Sequence, residues 1–266
     1  MKVKMSILAL VAVFAACSQE PASDEAPQME LESIATDITI YADAIAAPGR
    51  LEGDYERDAG RKPDQVLELF EFLPGQTVLD MFSGGGYYSE VIARVVGDKG
   101  RVVAHSNEAY LNFVGEEFTA RHADGRLPNV EILMAENNEL QLNEGEFDVI
   151  MLALSFHDLY FDNPKQGWPK IDAPKLLAEL HKGLKDDGFL AIIDHYAEAG
   201  TPTESGNTVH RIDPAIVVAS MEAAGFVSDL ESDLLRNPDD DPGKSVFDPE
   251  IRGKTDRFII RFRKAT

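Results

Sequence analysis

The residues from 76 to 96 read Gln76-Thr-Val-Leu-Asp80-Met-Phe-Ser-Gly84-Gly-Gly86-Tyr-Tyr-Ser-Glu-Val-Ile-Ala-Arg-Val-Val96. Residues 77–81 have the short, apolar and β-branched composition of a buried parallel strand, and the glycines follow at once. Apolar side chains then repeat at helical spacing through Tyr88, Val91 and Val95. The stretch therefore predicts a strand, a tight turn and a helix. Glycine in such a turn tolerates positive φ and lets a ligand lie against bare backbone, so we expect a nucleotide-like ligand.

The identity of that ligand depends on Asp80 more than on the glycines. In the dinucleotide fingerprint G-x-G-x-x-G the anionic pyrophosphate lies on the helix N-terminus. Ser89 occupies the position of the third glycine here, which disfavours an NAD-dependent oxidoreductase. The carboxylate of Asp80 would repel a pyrophosphate, whereas it suits a ligand with an ammonium group and a sulfonium. A glycine turn in some other kind of α/β protein is the alternative.

The stretch resembles motif I, D-x-G-x-G-x-G, of the class I methyltransferases that depend on S-adenosylmethionine (SAM). Asp80, Gly84 and Gly86 match the motif, and Phe82 stands where the first glycine is usual. The resemblance implies SAM as the cofactor. The residues that it assigns to the cofactor in this turn are Asp80, Phe82, Ser83, Gly84 and Gly86.

The rest of the chain alternates between predicted strands and helices. Further strands are expected at residues 101–105, 130–135, 147–154, 189–194, 226–234 and 257–263, and helices at 108–121, 175–184 and 213–224. Strands separated by helices predict an α/β fold with a doubly wound, Rossmann-like sheet of seven strands, mostly parallel. The last two strands lack a helix between them, which resembles the antiparallel last strand of the methyltransferase sheet.

The N-terminal segment is typical of an export signal. Residues 1–17 combine Lys2 and Lys4 with a short apolar run, and Phe14-Ala-Ala-Cys17 resembles a bacterial lipobox. We therefore expect lipidation at Cys17, the only cysteine, with simple secretion as the alternative. Residues 18–28 read as a flexible tether, and 29–266 as the methyltransferase domain with an N-terminal helical extension. This predicts a periplasmic lipoprotein that contacts the membrane only through its lipid.

Composition narrows the class of substrate. The 266 residues carry a formal net charge of -22, which disfavours nucleic acid as a partner and is compatible with a small or cationic acceptor. The charged residues 57–63 precede a predicted helix that starts near Pro63. They are interpreted either as a solvated loop or as a loop over the cofactor pocket.

Two further groups of residues have cofactor roles implied by the resemblance. The second strand ends at Ser106 and Asn107, where the family normally has an acidic residue for the ribose, so these side chains would replace it. Glu136 and Asn137 align with the family's adenine-binding stretch, although a glutamate in a polar loop is also commonly just solvated. Ser155, after the fourth strand, is assigned to the cofactor as well.

The candidate catalytic residues follow the fourth and fifth strands. Methyl transfer requires the acceptor in line with the sulfonium and often requires its deprotonation. His157 can remove a proton near neutral pH and Asp158 can orient it, while a purely structural hydrogen-bonding role for His157 is the alternative. His195 and His210, with Asp194, are expected to converge on the same rim. The cluster admits a metal, but its spacing is no recognisable ligand motif, so no metal is assigned.

The closing segment from residue 210 to 258 is similar to a group of poorly characterised bacterial predicted methyltransferases with a lipoprotein-type signal, so the resemblance covers nearly all of the mature chain. Two functions follow as hypotheses. The first is a SAM-dependent methyltransferase with a small-molecule acceptor. The second is an exported, non-catalytic binding protein for a nucleoside-like ligand on the same fold.

Overall fold

The computed structural model describes residues 39–266, so the predicted signal peptide, the tether and the first part of the helical extension lie outside the described residues. The strands are β1 Thr77–Met81, β2 Arg101–Ser106, β3 Val130–Met134, β4 Phe147–Ala153, β5 Leu184–His195, β6 Phe226–Ser232 and β7 Arg257–Lys264. The helices are α1 Thr39–Ala46, α2 Glu52–Arg61, α3 Pro63–Leu69, α4 Tyr87–Val96, α5 Glu108–Val114, α6 Glu116–His122, α7 Ala173–Gly183, α8 Ser205–Thr208 and α9 Pro214–Ala223.

The seven strands form one sheet in the order β3-β2-β1-β4-β5-β7-β6. Strands β1 to β5 pair in parallel, and β7 runs antiparallel to both of its neighbours, β5 and β6. The predicted doubly wound sheet with an antiparallel last strand is thereby confirmed. Strand order reverses at β1, which lies between β2 and β4, and ligands of such sheets bind at the carboxyl ends beside this reversal.

The central strands read as continuous apolar runs because both faces of the sheet are covered. In β4, Val149 and Met151 point into the core on one face, whereas Ile150 and Leu152 point into the core on the other. Helices α1, α3 and α4 contribute to the first core, and α7 and α9 to the second. This double burial holds the strand ends, and the side chains that follow them, in fixed positions.

Two predicted elements differ from the structure. The helix expected over residues 108–121 is broken into α5 and α6 at Gly115, whose φ of 59° does not continue a helix. The charged stretch 57–61 forms the second half of α2 instead of a loop. Both differences matter for the site, because α2 and α6 pack together over the glycine turn. None of the helices among residues 39–266 has the length and apolarity to cross a membrane.

A buried ion-pair network joins α2, α4 and α6. Arg121 of α6 has a fully buried side chain and donates to Asp54 of α2 at 2.5 Å and to Glu90 of α4 at 2.7 Å. Its Nε also donates to the carbonyl of Gly85 at 2.7 Å. Burial acts against the charge of Arg121, but Asp54 and Glu90 outweigh it and raise the pKa of Arg121. The glycine turn therefore rests on a charged cluster that has no contact with water.

Replacement of Arg121 by methionine is expected to destabilise the fold by about 3–5 kcal/mol, because it removes the buried counter-charge of Asp54 and Glu90. These carboxylates keep only partly exposed partners, Arg57 for Asp54 and Arg94 and Arg126 for Glu90. Urea unfolding measures the effect. Arg101→Met is the matched control, since Arg101 is one-third exposed where it pairs with Glu131 and Glu146, and such a pair contributes about 0–1 kcal/mol. A loss below about 1 kcal/mol for Arg121→Met would contradict the role given to this network.

Candidate active site

The polar side chains singled out in the sequence collect at one edge of the sheet. Asp80 lies at the carboxyl end of β1, and Ser106 ends β2. His157 follows β4 in a short 3₁₀ helix, and His195 ends β5. Parallel strands present their carboxyl ends at the same edge of a sheet. The fold therefore brings these four side chains to one edge, although they are spread over more than a hundred residues of sequence.

The glycine turn has the predicted conformation although Phe82 replaces its usual first glycine. Gly84 and Gly86 have φ of 57° and 76°, and Gly86 is the N-cap residue that precedes α4. Phe82, in the place of the usual first glycine, has φ of 57°, a left-handed value that is uncommon for a bulky residue. Its buried ring stacks on Tyr110 with centroids 5.3 Å apart. Packing of the ring thus compensates for the backbone strain, and the turn has the shape that glycine would have given it.

Asp80 is the buried anion of the site, with 2% of its surface exposed. Burial raises its pKa to about 6, although a hydrogen bond from the Ser89 hydroxyl and the charge of Arg61 oppose the shift. No cation among residues 39–266 lies within ion-pair distance of it. Ser89, which replaces the third glycine of the dinucleotide fingerprint, is therefore used to hold Asp80. The carboxylate is suited to a ligand that brings its own positive charge.

The residues assigned to ribose and adenine lie close to one another at the ends of β2 and β3. Ser106 is fully buried and its hydroxyl has no hydrogen-bond partner within the described part of the chain. Asn107 caps α5 by accepting from the Tyr110 amide at 2.9 Å, and its side-chain amide donates to Asn137 at 3.3 Å. Glu136 is exposed. These residues lie together as expected, but the side-chain oxygen of Asn107 is already used to cap α5.

Two observations indicate that the site fits SAM. The hydroxyls of Ser106 and Ser155 are buried and lack partners in residues 39–266, and an adenosine hydroxyl or amine would satisfy such groups. Asp80 offers a buried carboxylate for the ammonium group. By contrast, Ser83 donates both its hydroxyl, at 3.0 Å, and its backbone amide, at 2.9 Å, to the carbonyl of His105, so both of its donors are already used within the turn.

His157 is held by Asp194 as well as by Asp158, the residue expected to orient it. Asp194 accepts from the backbone amide of His157 at 2.8 Å and contacts its Nδ1 at 2.8 Å. The other ring nitrogen, Nε2, lies 3.3 Å from Oδ1 of Asp158. Asp158 also accepts from the Tyr110 hydroxyl and lies 3.8 Å from Nδ1 of His210. The sequence indicated the cluster but not which carboxylate orients the imidazole.

The charge states within this cluster differ from those expected for a base at His157. Burial alone would lower the pKa of His157, but the carboxylates of Asp194 and Asp158 raise it to about 9. His157 is therefore protonated at neutral pH. Burial, reinforced by Arg257, holds the pKa of His195 well below its usual range, so His195 is neutral. The two rings are 5.9 Å apart, and the neutral one is the group that can accept a proton.

His157, Asp158 and His210 place one ligand atom each within 4.8 Å of the others, a spacing that could accept a divalent ion. Such an ion would have to displace the proton of His157. Aromatic side chains that the sequence analysis did not single out surround His210 and Tyr110. Phe161 and Phe247 lie 5.1 and 4.8 Å from the His210 ring, and Trp168 lies 4.9 Å from Tyr110. They come from loops without periodicity, so no sequence signal marked them.

The fold and the site together define a class I methyltransferase architecture with a buried carboxylate for the cofactor and an acid–base cluster beside it. Residues 79–192 match the family model described as Methyltransferase domain. The match spans less than half of the chain; together with the fold it shows similarity to SAM-dependent methyltransferases, whose cofactor is SAM. The matched region includes Asp80, the glycine turn, His157 and Asp158, and ends just before Asp194.

Curated proteins match part of this chain in sequence. The ubiquinone/menaquinone biosynthesis C-methyltransferase UbiE of Teredinibacter turnerae is 29% identical over 130 residues, which are 48% of this chain and 47% of UbiE. The chain thus spans about half the length of the curated relatives that it matches.

Solved structures extend the similarity over more of the chain. A SAM-dependent methyltransferase from Mesorhizobium loti has a TM-score of 0.52 at 13% identity, covering 78% of this chain and 100% of that one. The [4+2]-cyclase SpnF has a TM-score of 0.55 at 16% identity, covering 86% and 93%. These structures show the fold alone, and one of them is named for a reaction other than methyl transfer, so the reaction must be argued from the site.

Proposed function

We propose that this protein transfers the methyl group of SAM to a small-molecule acceptor that loses a proton in the reaction. The observation that supports the proposal most directly is the pairing of a protonated His157, fixed between Asp194 and Asp158, with a neutral His195 at the same strand ends. Methyl transfer from a sulfonium leaves the acceptor with an excess proton unless a base removes it. His195 would accept that proton, and the charge of His157 would stabilise a developing oxyanion.

The size and character of the acceptor follow from the surroundings of the cluster. His157 is 4% exposed and His195 is 8% exposed, so a polymer could not reach them without a large movement. The aromatic side chains around His210 suit a planar or largely apolar molecule. We therefore expect a small acceptor that carries an acidic hydroxyl or a similar group on a ring. The substrate of UbiE is a property of that enzyme. It supports the proposed class of acceptor and does not identify the acceptor of this chain.

Calorimetric titration of the purified protein with SAM and with S-adenosylhomocysteine is the first test. We expect both to bind at micromolar concentration, and a screen of hydroxylated aromatic compounds to give S-adenosylhomocysteine above the background rate. If a demonstrably folded protein bound neither, the proposal would be wrong. Binding of both without turnover of any acceptor would favour the alternative, a non-catalytic protein that captures a nucleoside-like ligand.

We also propose that the chain is exported and lipidated at Cys17, on the basis of the pattern in residues 1–17. Expression in a bacterium grown with radioactive palmitate is expected to label the wild-type protein and to leave Cys17→Ala unlabelled. Label in Cys17→Ala, or none in the wild type, would contradict lipidation. SAM is made in the cytoplasm. An exported enzyme of this kind therefore requires a supply of SAM on the other side of the membrane.

A further inference from the structure

Two arginines beside the cofactor turn have no carboxylate partner. Arg61 ends α2, and its side chain makes no hydrogen bond within residues 39–266, while its guanidinium lies over the ring of Tyr87 at 4.2 Å. Arg257 begins β7, is 3% exposed, and donates only to the carbonyl of Gly60 at 3.0 Å and to the hydroxyl of Thr255 at 3.1 Å. Neither forms an ion pair in the described part of the chain.

Three other arginines, all with fully buried side chains, have a carboxylate partner. Arg50, Arg121 and Arg211 have fully buried side chains, and each binds an aspartate, at 2.7, 2.5 and 2.7 Å respectively. Carboxylates are abundant, with 47 Asp and Glu against 25 Lys and Arg. Two neighbouring guanidinium groups without a carboxylate in contact are electrostatically unfavourable. Burial together with Arg61 lowers the pKa of Arg257 to about 10, although the charges of Asp240 and Asp194 act in the opposite direction. Within the part of the chain that the structure describes, Arg61 and Arg257 therefore lack an anionic partner, and a ligand can supply one.

The packing of α2 brings the two arginines together. A Cβ atom on Gly60 would lie 2.6 Å from the carbonyl oxygen of Gly253, so only glycine lets the end of α2 approach the segment that leads into β7 this closely. Lys62, the next residue after Arg61, donates to the carbonyl of Leu234 at 2.8 Å and fixes the end of the helix. The position of Arg61 is thus built into the fold.

Arg61 lies near Asp80: its guanidinium is 5.7 Å from the centroid of the Tyr88 ring, and Ser89, the next residue, donates to Asp80. Arg257 is linked to the same region through its hydrogen bond to Gly60. Arg61 is the cation whose charge acts on Asp80, and the buried ring of Tyr88 interacts electrostatically with Asp80, Arg61 and Arg257 alike. In an amino acid the ammonium and carboxylate groups are attached to the same carbon atom. A ligand whose ammonium group binds Asp80 must therefore place its carboxylate within a few ångströms, on the side where Arg61 lies.

We propose that Arg61 and Arg257 form a binding site for a carboxylate group beside Asp80, and that the carboxylate of SAM's methionine moiety occupies it. The planar guanidinium of arginine matches a carboxylate in a two-bond arrangement, which a lysine does not reproduce. The inference rests on the proposed function, because it takes SAM as the ligand at Asp80. It also gives the charged stretch 57–63 a role: α2 closes the methionine end of the cofactor site.

The test compares SAM with decarboxylated SAM, which lacks only this carboxylate, by calorimetric titration of the full-length chain. In Arg61→Gln and Arg257→Gln we expect the affinity for SAM to fall roughly 10- to 100-fold and that for decarboxylated SAM to change by less than about threefold. Arg61→Lys should recover part of the loss. Arg263→Gln is the control, because Arg263 lies near the opposite end of β7 and pairs with Asp229.

The outcomes separate the source of the carboxylate from the existence of the site. Benzoate is also titrated into protein that is saturated with S-adenosylhomocysteine. If both variants bind SAM as the wild type does but lose the benzoate binding that the wild type shows, the site holds the acceptor's carboxylate. If the variants alter neither SAM nor benzoate binding, the proposal is overturned. Failure of the wild type to bind SAM would refute the methyltransferase proposal instead, and benzoate titration of the cofactor-free protein would still test the arginine pair. The side chain of Arg61 makes no hydrogen bond within residues 39–266, so Arg61→Gln is expected to keep the wild-type melting temperature.

Discussion

Asp80→Asn is expected to weaken SAM binding by roughly 100-fold or more, because a neutral amide replaces the buried carboxylate that faces the ammonium group. The same change should leave the protein at least as stable as the wild type at pH 7. Burial raises the pKa of Asp80 to about 6 in the folded chain, so its ionised form is disfavoured there by folding. Loss of binding in a variant that has not lost stability would exclude unfolding as the cause. Isothermal titration and urea unfolding measure the two effects.

The pH dependence of binding gives a second measure of the same residue. An aspartate with a raised pKa is ionised above about pH 6 and takes up a proton below it. SAM affinity should therefore fall as the pH drops through 6, by up to about tenfold per unit, and Asp80→Asn should lack this dependence. Asp148→Asn, at the amino end of β4, is the control and is expected to bind SAM normally. A pH profile unchanged in Asp80→Asn would show that another group controls binding.

His157→Ala is expected to lower turnover by about 10²- to 10⁴-fold while SAM affinity changes by less than about threefold. The imidazole lies between Asp194 and Asp158 and carries a positive charge next to the acceptor space, so its removal affects the transition state and not the cofactor. The measurement is the rate of S-adenosylhomocysteine formation with the acceptor found by screening.

His181→Ala is the control for this change. His181 packs against Phe226, with ring centroids 5.0 Å apart, away from the cluster. Equal loss of SAM binding in His157→Ala and Asp80→Asn would count against the separate roles given to the two residues. A drop in turnover of similar size in His181→Ala would point to a general disturbance of the fold.

Much of the fold could be predicted from the sequence because the sheet is buried on both faces. The strand from Thr77 to Met81 was predicted with the bounds that the structure has, since its apolar run leads directly into glycines. The helix α2 could not be predicted in this way. Its sequence, EGDYERDAGR, has few apolar residues, and the helix is held by ion pairs such as Arg57 with Glu117, 60 residues away. Long-range charge pairing of this kind leaves no local pattern.

The candidate site was predictable where its residues follow strands. His157, Asp158 and His195 were expected at the rim because each comes directly after, or at the end of, a parallel strand. Their charge states could not be predicted, since they depend on which carboxylate touches which nitrogen. Arg61 was missed as an individual residue, although Arg57 and Arg61 stand four apart, a spacing that places both on one face of a helix, over Tyr87. That spacing was the available signal.

The stacking of Phe82 on Tyr110 joins two parts of the molecule that bind different partners. Phe82 belongs to the turn around the cofactor, and the hydroxyl of Tyr110 is bound to Asp158 in the acid–base cluster. Any shift of the turn when the cofactor enters is therefore transmitted to the carboxylate that faces the acceptor. Thermodynamic linkage then requires reciprocity: each molecule changes the affinity for the other by the same factor. An enzyme built in this way would show coupled binding, in which the acceptor and the methyl donor each bind at full strength only when the other is in place.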